Sequence, residues 1–259
     1  MAPQSSDHGF AEALYLASTA RHVEVFTGAG MSAESGIVTY RDADTGLWEN
    51  VDPMAMASID AWRRDPEPMW AWYLWRAQLA SQAEPNAGHR AIARWAELDG
   101  VDAVTVTTQN IDNLHERAGS ENVVHLHGSL FIFCCSNCRR PYDDVDFPTE
   151  AVPRLTPPPC PACGSLIRPD IVWFGEGLPS DAWGEAERRM ETADLIVIVG
   201  TSGVVYPAAQ LPFLAYRQDT PILEISPQET ELTRLAAQSW RTTAAVGLPL
   251  LVDALADRS

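Results

Sequence analysis

The sequence predicts an α/β fold: a Rossmann-like parallel sheet with helices on both faces, plus a small zinc-ribbon and helical domain. Three observations predict it. Short β-branched apolar runs alternate with helical patterns, and the runs are nearly continuous in apolar residues rather than alternating. Parallel strands covered on both faces have that pattern. The first run ends in a glycine-rich turn, Gly28-Ala29-Gly30. Two Cys-x-x-Cys pairs interrupt the alternation in a proline-rich stretch.

Strands are expected at His22–Thr27, Ala103–Thr108, Asn122–Leu126, Leu195–Gly200, Pro221–Ser226 and Thr242–Val246. Helical patterns lie between most of them, at Glu67–Ala83, Asn86–Leu98, Asp181–Thr192, Tyr206–Tyr216 and Gln228–Gln238. Two excursions break the order. Residues 40–85 are rich in Trp, Met and Arg and read as helical, and residues 129–170 hold every cysteine. Together they form the small domain. Residues 10–39, 86–128 and 171–257 form the Rossmann-like domain.

The bulk numbers exclude some classes. The 259 residues suffice for one large domain with an insert. No apolar run reaches the roughly 18 residues of a membrane helix, and the N-terminus lacks the pattern of a signal peptide. A cytoplasmic protein without membrane contact is expected. A net charge of -17 argues against nucleic acid, which needs a basic surface, and permits a Lys-rich partner.

The chemistry concentrates at strand ends, where open α/β sheets bind ligands. Gly28, Gly30 and Ala33 fit G-x-G-x-x-G/A. The first glycine allows the tight turn, the second a close approach by pyrophosphate, and the small third residue packs helix on strand. A phosphate is then expected at a helix N-terminus. No second strand ending in an acid follows some twenty residues later, so this is not an ordinary dehydrogenase half. Thr108-Gln109-Asn110-Ile111-Asp112 and His125-Leu126-His127-Gly128 end two further strands. They place an amide, a carboxylate and an imidazole there. A neutral imidazole takes a proton near pH 7, though a lone histidine at such a place is more often a satisfied core residue. His125, two residues before His127, is read as structural.

Cys135-x-x-Cys138 and Cys160-x-x-Cys163 are separated by 21 residues. Four thiolates in this spacing make a tetrahedral structural zinc site with no open position for a catalytic water. Cys134 is the odd cysteine and an alternative to Cys135.

These motifs occur in the order Gly28–Ile37, Thr108–His115, His127-Gly128, the cysteine pairs, Phe174-Gly175-Glu176 and Gly200-Thr201-Ser202. In that order they resemble the sirtuin family of NAD-dependent protein-lysine deacylases, over residues 10–255. The resemblance implies a Rossmann-like domain and a zinc-and-helix domain, with NAD and an acyl-lysine peptide in the cleft between them. It implies that His127 is the general base, and that the products are free lysine, nicotinamide and 2′-O-acyl-ADP-ribose. Cofactor contacts are implied for Gly28, Ala29, Gly30, Ala33, Glu34, Tyr40, Arg41, Trp48, Gln109, Asn110, Ile111, Asp112, Gly200, Thr201, Ser202, Ser226 and Ala244. Substrate contacts are implied for Val172, Trp173, Phe174 and Gly175. A monomer acting on acyl-lysine proteins is expected.

Tyr73 and Arg76 are spaced i, i+3 on one helix face. A guanidinium binds a carboxylate bidentately, and a tyrosine hydroxyl adds a donor. The pair resembles the Tyr-x-x-Arg of the sirtuin class that removes succinyl, malonyl and glutaryl groups. Some positions depart from the family. Val38-Thr39-Tyr40-Arg41 stands where Pro-Thr-Phe-Arg is usual. Ser226 replaces an Asn near the adenosine ribose, and Ala244 matches the adenine side only loosely. Two other readings are compatible with the motifs: mono-ADP-ribosyl transfer, and a noncatalytic sensor of NAD or ADP-ribose.

Overall fold

A computed structural model describes residues 5–37 and 56–258. Eight strands are β1 (His22–Thr27), β2 (Ala103–Thr108), β3 (Val123–His125), β4 (Gly128–Cys135), β5 (Ile167–Ile171), β6 (Leu195–Val199), β7 (Ile222–Ile225) and β8 (Gln238–Trp240). Eight α-helices are α1 (Ser5–Thr19), α2 (Ile59–Arg64), α3 (Pro66–Gln82), α4 (Ala87–Trp95), α5 (Leu114–Arg117), α6 (Ser180–Thr192), α7 (Pro212–Tyr216) and α8 (Ala244–Ala256).

Six strands form one parallel sheet in the order β3-β2-β1-β6-β7-β8. The chain winds outward from β1 in one direction and from β6 in the other. The β1/β6 boundary is therefore the topological switch point, where such sheets bind ligands beyond their carboxyl ends. Alternation along β1 explains the layers. Val23 and Val25 face a core built with α1, α4 and α8, including Trp95, Leu248 and Leu251. Phe26 faces a second core built with α6 and α7. Buried leucines of this kind each contribute about 2–5 kcal/mol over alanine.

A third core lies apart from the sheet. It joins α2 and α3 to the antiparallel pair β4–β5 through Trp62, Trp70, Tyr73, Phe133 and Trp173. Register shifts between Gly128 and Phe133. Gly128 has φ 78°, and a Cβ there would lie 1.9 Å from the Asp170 carbonyl, so only glycine fits.

Five of the expected strands lie within two residues of those observed. The sixth does not. Residues 242–246 run into α8, and the last strand is β8, slightly earlier. The Gln228–Gln238 helix is also absent, leaving one 3-10 turn at Thr233–Leu235. The reason is a buried carboxylate. Glu224 on β7 is fully buried and accepts from Thr230 (2.6 Å), Thr233, Ser239 and Arg241 (each 2.9 Å). Those four bonds fold residues 230–241 back onto the strand. The expected Tyr206–Tyr216 helix splits into a 3-10 turn, Ala208–Gln210, and α7, which starts at Pro212. Proline favours a helix start over a helix interior. The helices α1 and α5, the part of α8 after Val246 and the strands β4 and β5 carry no expectation from sequence. Tyr40, Arg41 and Trp48 lie outside the described residues.

Candidate active site

The switch point is closed by glycines. The Gly28 N–H donates to the Val199 carbonyl (3.2 Å) and the Gly30 N–H to the Gly200 carbonyl (2.8 Å). A Cβ on Gly30 would lie 2.8 Å from Gly200 Cα, and one on Gly200 (φ 62°) 2.2 Å from the Met31 nitrogen. The second glycine therefore brings two strand ends together, and its amide is engaged by protein rather than by a phosphate. Two 3-10 turns, Ala29–Met31 and Ala33–Ser35, follow where a helix was expected. No α-helix N-terminus among the described residues begins at this turn. Ala33 is exposed and packs no helix on strand. The Glu34 carboxylate accepts from Thr243 Oγ1 and the Ala245 N–H, both at 3.1 Å, and so caps α8.

The loop after β2 is drawn against this turn. The Gln109 N–H donates to the Thr27 carbonyl (3.0 Å), and its Nε2 to Thr201 Oγ1 (2.9 Å). Asn110 Nδ2 donates to Ser32 Oγ (3.1 Å), and Ser32 Oγ donates to Asp112 Oδ2 (3.0 Å). Asp112 Oδ1 accepts the Leu114 N–H (3.1 Å). Burial raises the Asp112 pKa, opposed by these bonds. Ser32 thus links amide and carboxylate. Sequence reading passed over it, although its place inside the glycine turn was a signal.

The two histidines after β3 differ in their protons. His127 Nδ1 lies 3.0 Å from the Gln109 carbonyl. A carbonyl only accepts, so Nδ1 carries the hydrogen and Nε2 keeps a lone pair. Burial lowers the His127 pKa, partly offset by that bond. His125 instead places Nδ1 2.9 Å from the Asn110 carbonyl and Nε2 2.7 Å from Glu116 Oε1. Burial works against its charge, but the bond to Glu116 and its charge outweigh this and raise its pKa. A doubly donating imidazolium has no lone pair. Of the two, His127 is the one that keeps a lone pair.

Around the other strand ends, Thr201 is buried and Ser202 half-buried. The Ser226 hydroxyl closes a local turn, donating to the Gln228 carbonyl at 2.8 Å. Ala244 starts α8, buried against Gly88. The Ile111 carbonyl accepts the Leu130 N–H (2.8 Å), joining this loop to β4.

The remaining expected residues lie on α3 and on the segment that follows β5. The Val172 N–H donates to the His127 carbonyl (3.0 Å), and the Phe174 N–H to the Ala57 carbonyl (2.7 Å). Phe174 is 45% exposed, and Gly175 follows at φ 89°. Trp173 is buried between Trp62 and Tyr73, with ring centroids 5.1 and 5.8 Å away. Arg168 lies 3.6 Å over its ring and bonds both Glu176 oxygens, at 2.6 and 2.7 Å. Tyr73 is buried and Arg76 half-buried. The Arg76 guanidinium lies 4.8 Å from the Trp72 ring centroid and 6.0 Å from that of Tyr73.

The Sγ atoms of Cys135, Cys138, Cys160 and Cys163 all lie within 4.8 Å of one another. Cys135–Cys163 are 3.4 Å apart and Cys138–Cys160 3.8 Å. A tetrahedron with Zn–S bonds of about 2.3 Å has edges of about 3.8 Å, so the set fits zinc. The Cys138 N–H donates to Cys135 Sγ (3.4 Å), as a two-residue knuckle requires. Cys134 stands outside the set, 3.7 Å from Asp170.

Fold and site together define an α/β nucleotide-binding protein with a four-cysteine metal centre. The sequence pattern of the Sir2 family matches residues 28–207, and the chain belongs to that family. It is 64% identical over 250 residues to NAD-dependent protein deacylase 2 of Corynebacterium efficiens, covering 96% of this chain and 98% of that one. It is 50% identical to the NAD-dependent protein deacylase Sir2 of Mycolicibacterium smegmatis, covering 90% and 96%. Its structure resembles the crystal structure of a Sir2 homolog–NAD complex, with a TM-score of 0.87, 42% identity, and coverage of 96% of this chain and 94% of that one.

Proposed function

We propose that this chain is an NAD-dependent protein-lysine deacylase that prefers acyl chains ending in a carboxylate. The deacylase reading rests on membership of the Sir2 family and on relatives named for that activity. The single observation that carries the residue assignment is the proton inventory of the two histidines, which leaves one basic nitrogen, His127 Nε2, at the strand ends.

The donor set fits a dinucleotide. Uncharged amides and hydroxyls of Gln109, Asn110, Ser32 and Thr201 converge at the switch point, beside exposed Ala29 and Gly30. When bound, NAD supplies an electrophilic ribose carbon with nicotinamide as its leaving group. Asn110 and Asp112 would hold its carboxamide end, and Thr201 and Ser202 would bind elsewhere along the dinucleotide. His127 Nε2 would accept a proton from a ribose hydroxyl, and the Gln109 carbonyl, 3.0 Å from Nδ1, would steady the charge formed on the ring. The cysteine cluster orders the β4–β5 pair, with all its positions taken by sulfur. The Rossmann-like segments 10–39, 86–128 and 171–257 take the dinucleotide, and the acyl-lysine enters against Val172, Trp173, Phe174 and Gly175.

The acyl preference rests on Arg76, a cation flanked by the Trp72 and Tyr73 rings on α3. A guanidinium in an aromatic setting suits a carboxylate at the end of an acyl chain. The test is kcat/KM on matched succinyl-, malonyl- and acetyl-lysine peptides, read as nicotinamide release. Arg76→Ala is expected to lower succinyl turnover at least tenfold and to leave acetyl turnover within about threefold, since a charge-assisted pair is worth about 1.5–3 kcal/mol. Equal or better acetyl turnover, unchanged by the substitution, would refute the preference.

A further inference from the structure

The imidazoles of His89 on α4 and His115 on α5 play no part in the reaction above, yet they sit directly behind its site. They are 0% and 1% exposed, and their rings meet edge to face with centroids 4.8 Å apart. On one side His115 Nε2 lies 3.2 Å from Thr27 Oγ1. Thr27 Oγ1 bonds Thr108 Oγ1 (2.8 Å), which also accepts the Asn110 N–H (3.0 Å). On the other side His89 Nδ1 accepts the Asn86 N–H (3.3 Å). Asn86 Nδ2 donates to the Met31 carbonyl (2.8 Å) and Ser35 Oγ (3.1 Å), in the glycine turn. Two hydrogen-bonded segments, one from the glycine turn to His89 and one from His115 to the backbone of Asn110, thus meet at the contact of the two rings.

Its protons can be placed. An amide N–H only donates, so His89 Nδ1 is bare and Nε2 carries the hydrogen. His89 Nε2 and His115 Nδ1 are both buried without a hydrogen-bond partner. If Thr27 donates to Thr108, His115 Nε2–H donates to Thr27, and His115 Nδ1 is bare. Of the two partnerless atoms, one is then an N–H and the other a lone pair. The reverse polarity would bury two unpartnered N–H groups instead of one, which desolvation disfavours.

We propose that His115 is a positioning residue whose Nε2–H, through Thr27 and Thr108, fixes the corner that presents Asn110 and Gln109. This rests on the assignment of those two residues to the NAD site. It goes further in naming a buried donor, and a specific tautomer, as what sets the affinity for the dinucleotide.

The test compares two uncharged replacements. His115→Gln puts an amide N–H near the position of Nε2, and His115→Asn puts one near Nδ1. The expected result is a KM for NAD within about threefold of wild type for Gln and raised at least tenfold for Asn, with the acyl-peptide KM steady in both. Should the Asn variant not fold, Thr27→Val removes the same link and is expected to give the same NAD-selective rise. Equal NAD constants for the Gln variant and either disruptive variant would overturn the proposal. Long-range 1H–15N NMR of the ligand-free protein near pH 7 is the second arm. Neutral Nε2–H tautomers at both histidines support the chain, and an Nδ1–H or cationic ring at His115 overturns it. If the wild type releases no nicotinamide with any acyl peptide, the functional reading fails instead, and the tautomer measurement still decides the chain.

Discussion

At the scale of single residues, a carbonyl separates His127 from His125. Both side chains reach back to the loop after β2, one to the Gln109 carbonyl and one to that of Asn110. The second nitrogen decides their chemistry. In His125 it meets Glu116, which favours the cation, and in His127, whose Nδ1 carries the hydrogen, it keeps its lone pair. Burial shifts His127 below the ordinary histidine value of 6.5. Its basic form therefore persists below pH 6.5, and the acid limb of kcat/KM, which reports the free enzyme's base, is expected to have its midpoint under 6.5. A midpoint above 6.5 would assign the limb to another group. His127→Ala is expected to lower kcat/KM by about 10²–10⁴-fold, the range for loss of a general base. His125→Gln removes the cation without removing a base, so a loss as large as that of His127→Ala would reverse the two roles.

At the scale of elements, the buried strands were legible because continuous β-branched runs have few alternatives. The cysteine spacing was legible because zinc geometry dictates it. What was not legible depends on partners distant in sequence. Residues 242–246 look like a strand, but the Glu34 carboxylate, over two hundred residues earlier, caps α8 there. The stretch 228–238 looks helical, but Glu224 pulls it back onto β7. In the site, His127, Asn110 and Asp112 announce themselves by motif, whereas the linking role of Ser32 appears only once the glycine turn meets the β2 loop. The β4–β5 pair is the element most dependent on its metal, since Cys135 and Cys160 are themselves part of the third core with α3 and Trp173. Chelation is expected to release one zinc per chain and to abolish deacylation, because a structural zinc supplies folding energy outright. The residues proposed to hold NAD lie at the ends of a sheet whose strands contain no cysteine, so NAD affinity is expected to fall less than tenfold. Activity that survives verified loss of zinc would remove the metal from the account of the acyl-lysine wall.

At the scale of the whole molecule, several ionisable groups are folded into dry positions near the sheet, and they make stability depend on pH in opposed senses. Burial holds His89 down to about 4 and His115 well below 6.5. Above pH 6.5 these rings are neutral whether the chain is folded or not, so they add no slope. Between 6.5 and 4 the unfolded chain takes up protons that the folded chain refuses, and stability falls as pH falls. Glu24 and Asp112 act the other way. Burial raises both, so their contribution is present below the usual carboxylate range and is lost as pH rises through their folded values. Wild-type stability alone mixes the two. A variant separates them: His89→Asn keeps an acceptor for the Asn86 amide while deleting one titration. Urea unfolding of both proteins between pH 7.5 and 4.5 is the measurement. The wild type is expected to lose roughly 2–3 kcal/mol more than the variant on going to pH 4.5, the value of a shift of that size. Parallel curves would mean that the folded chain protonates His89 as readily as the unfolded one does. That ring could then no longer be counted as a fixed donor, leaving the glycine turn joined to the β2 loop through Ser32 and through the Gln109 N–H on the Thr27 carbonyl.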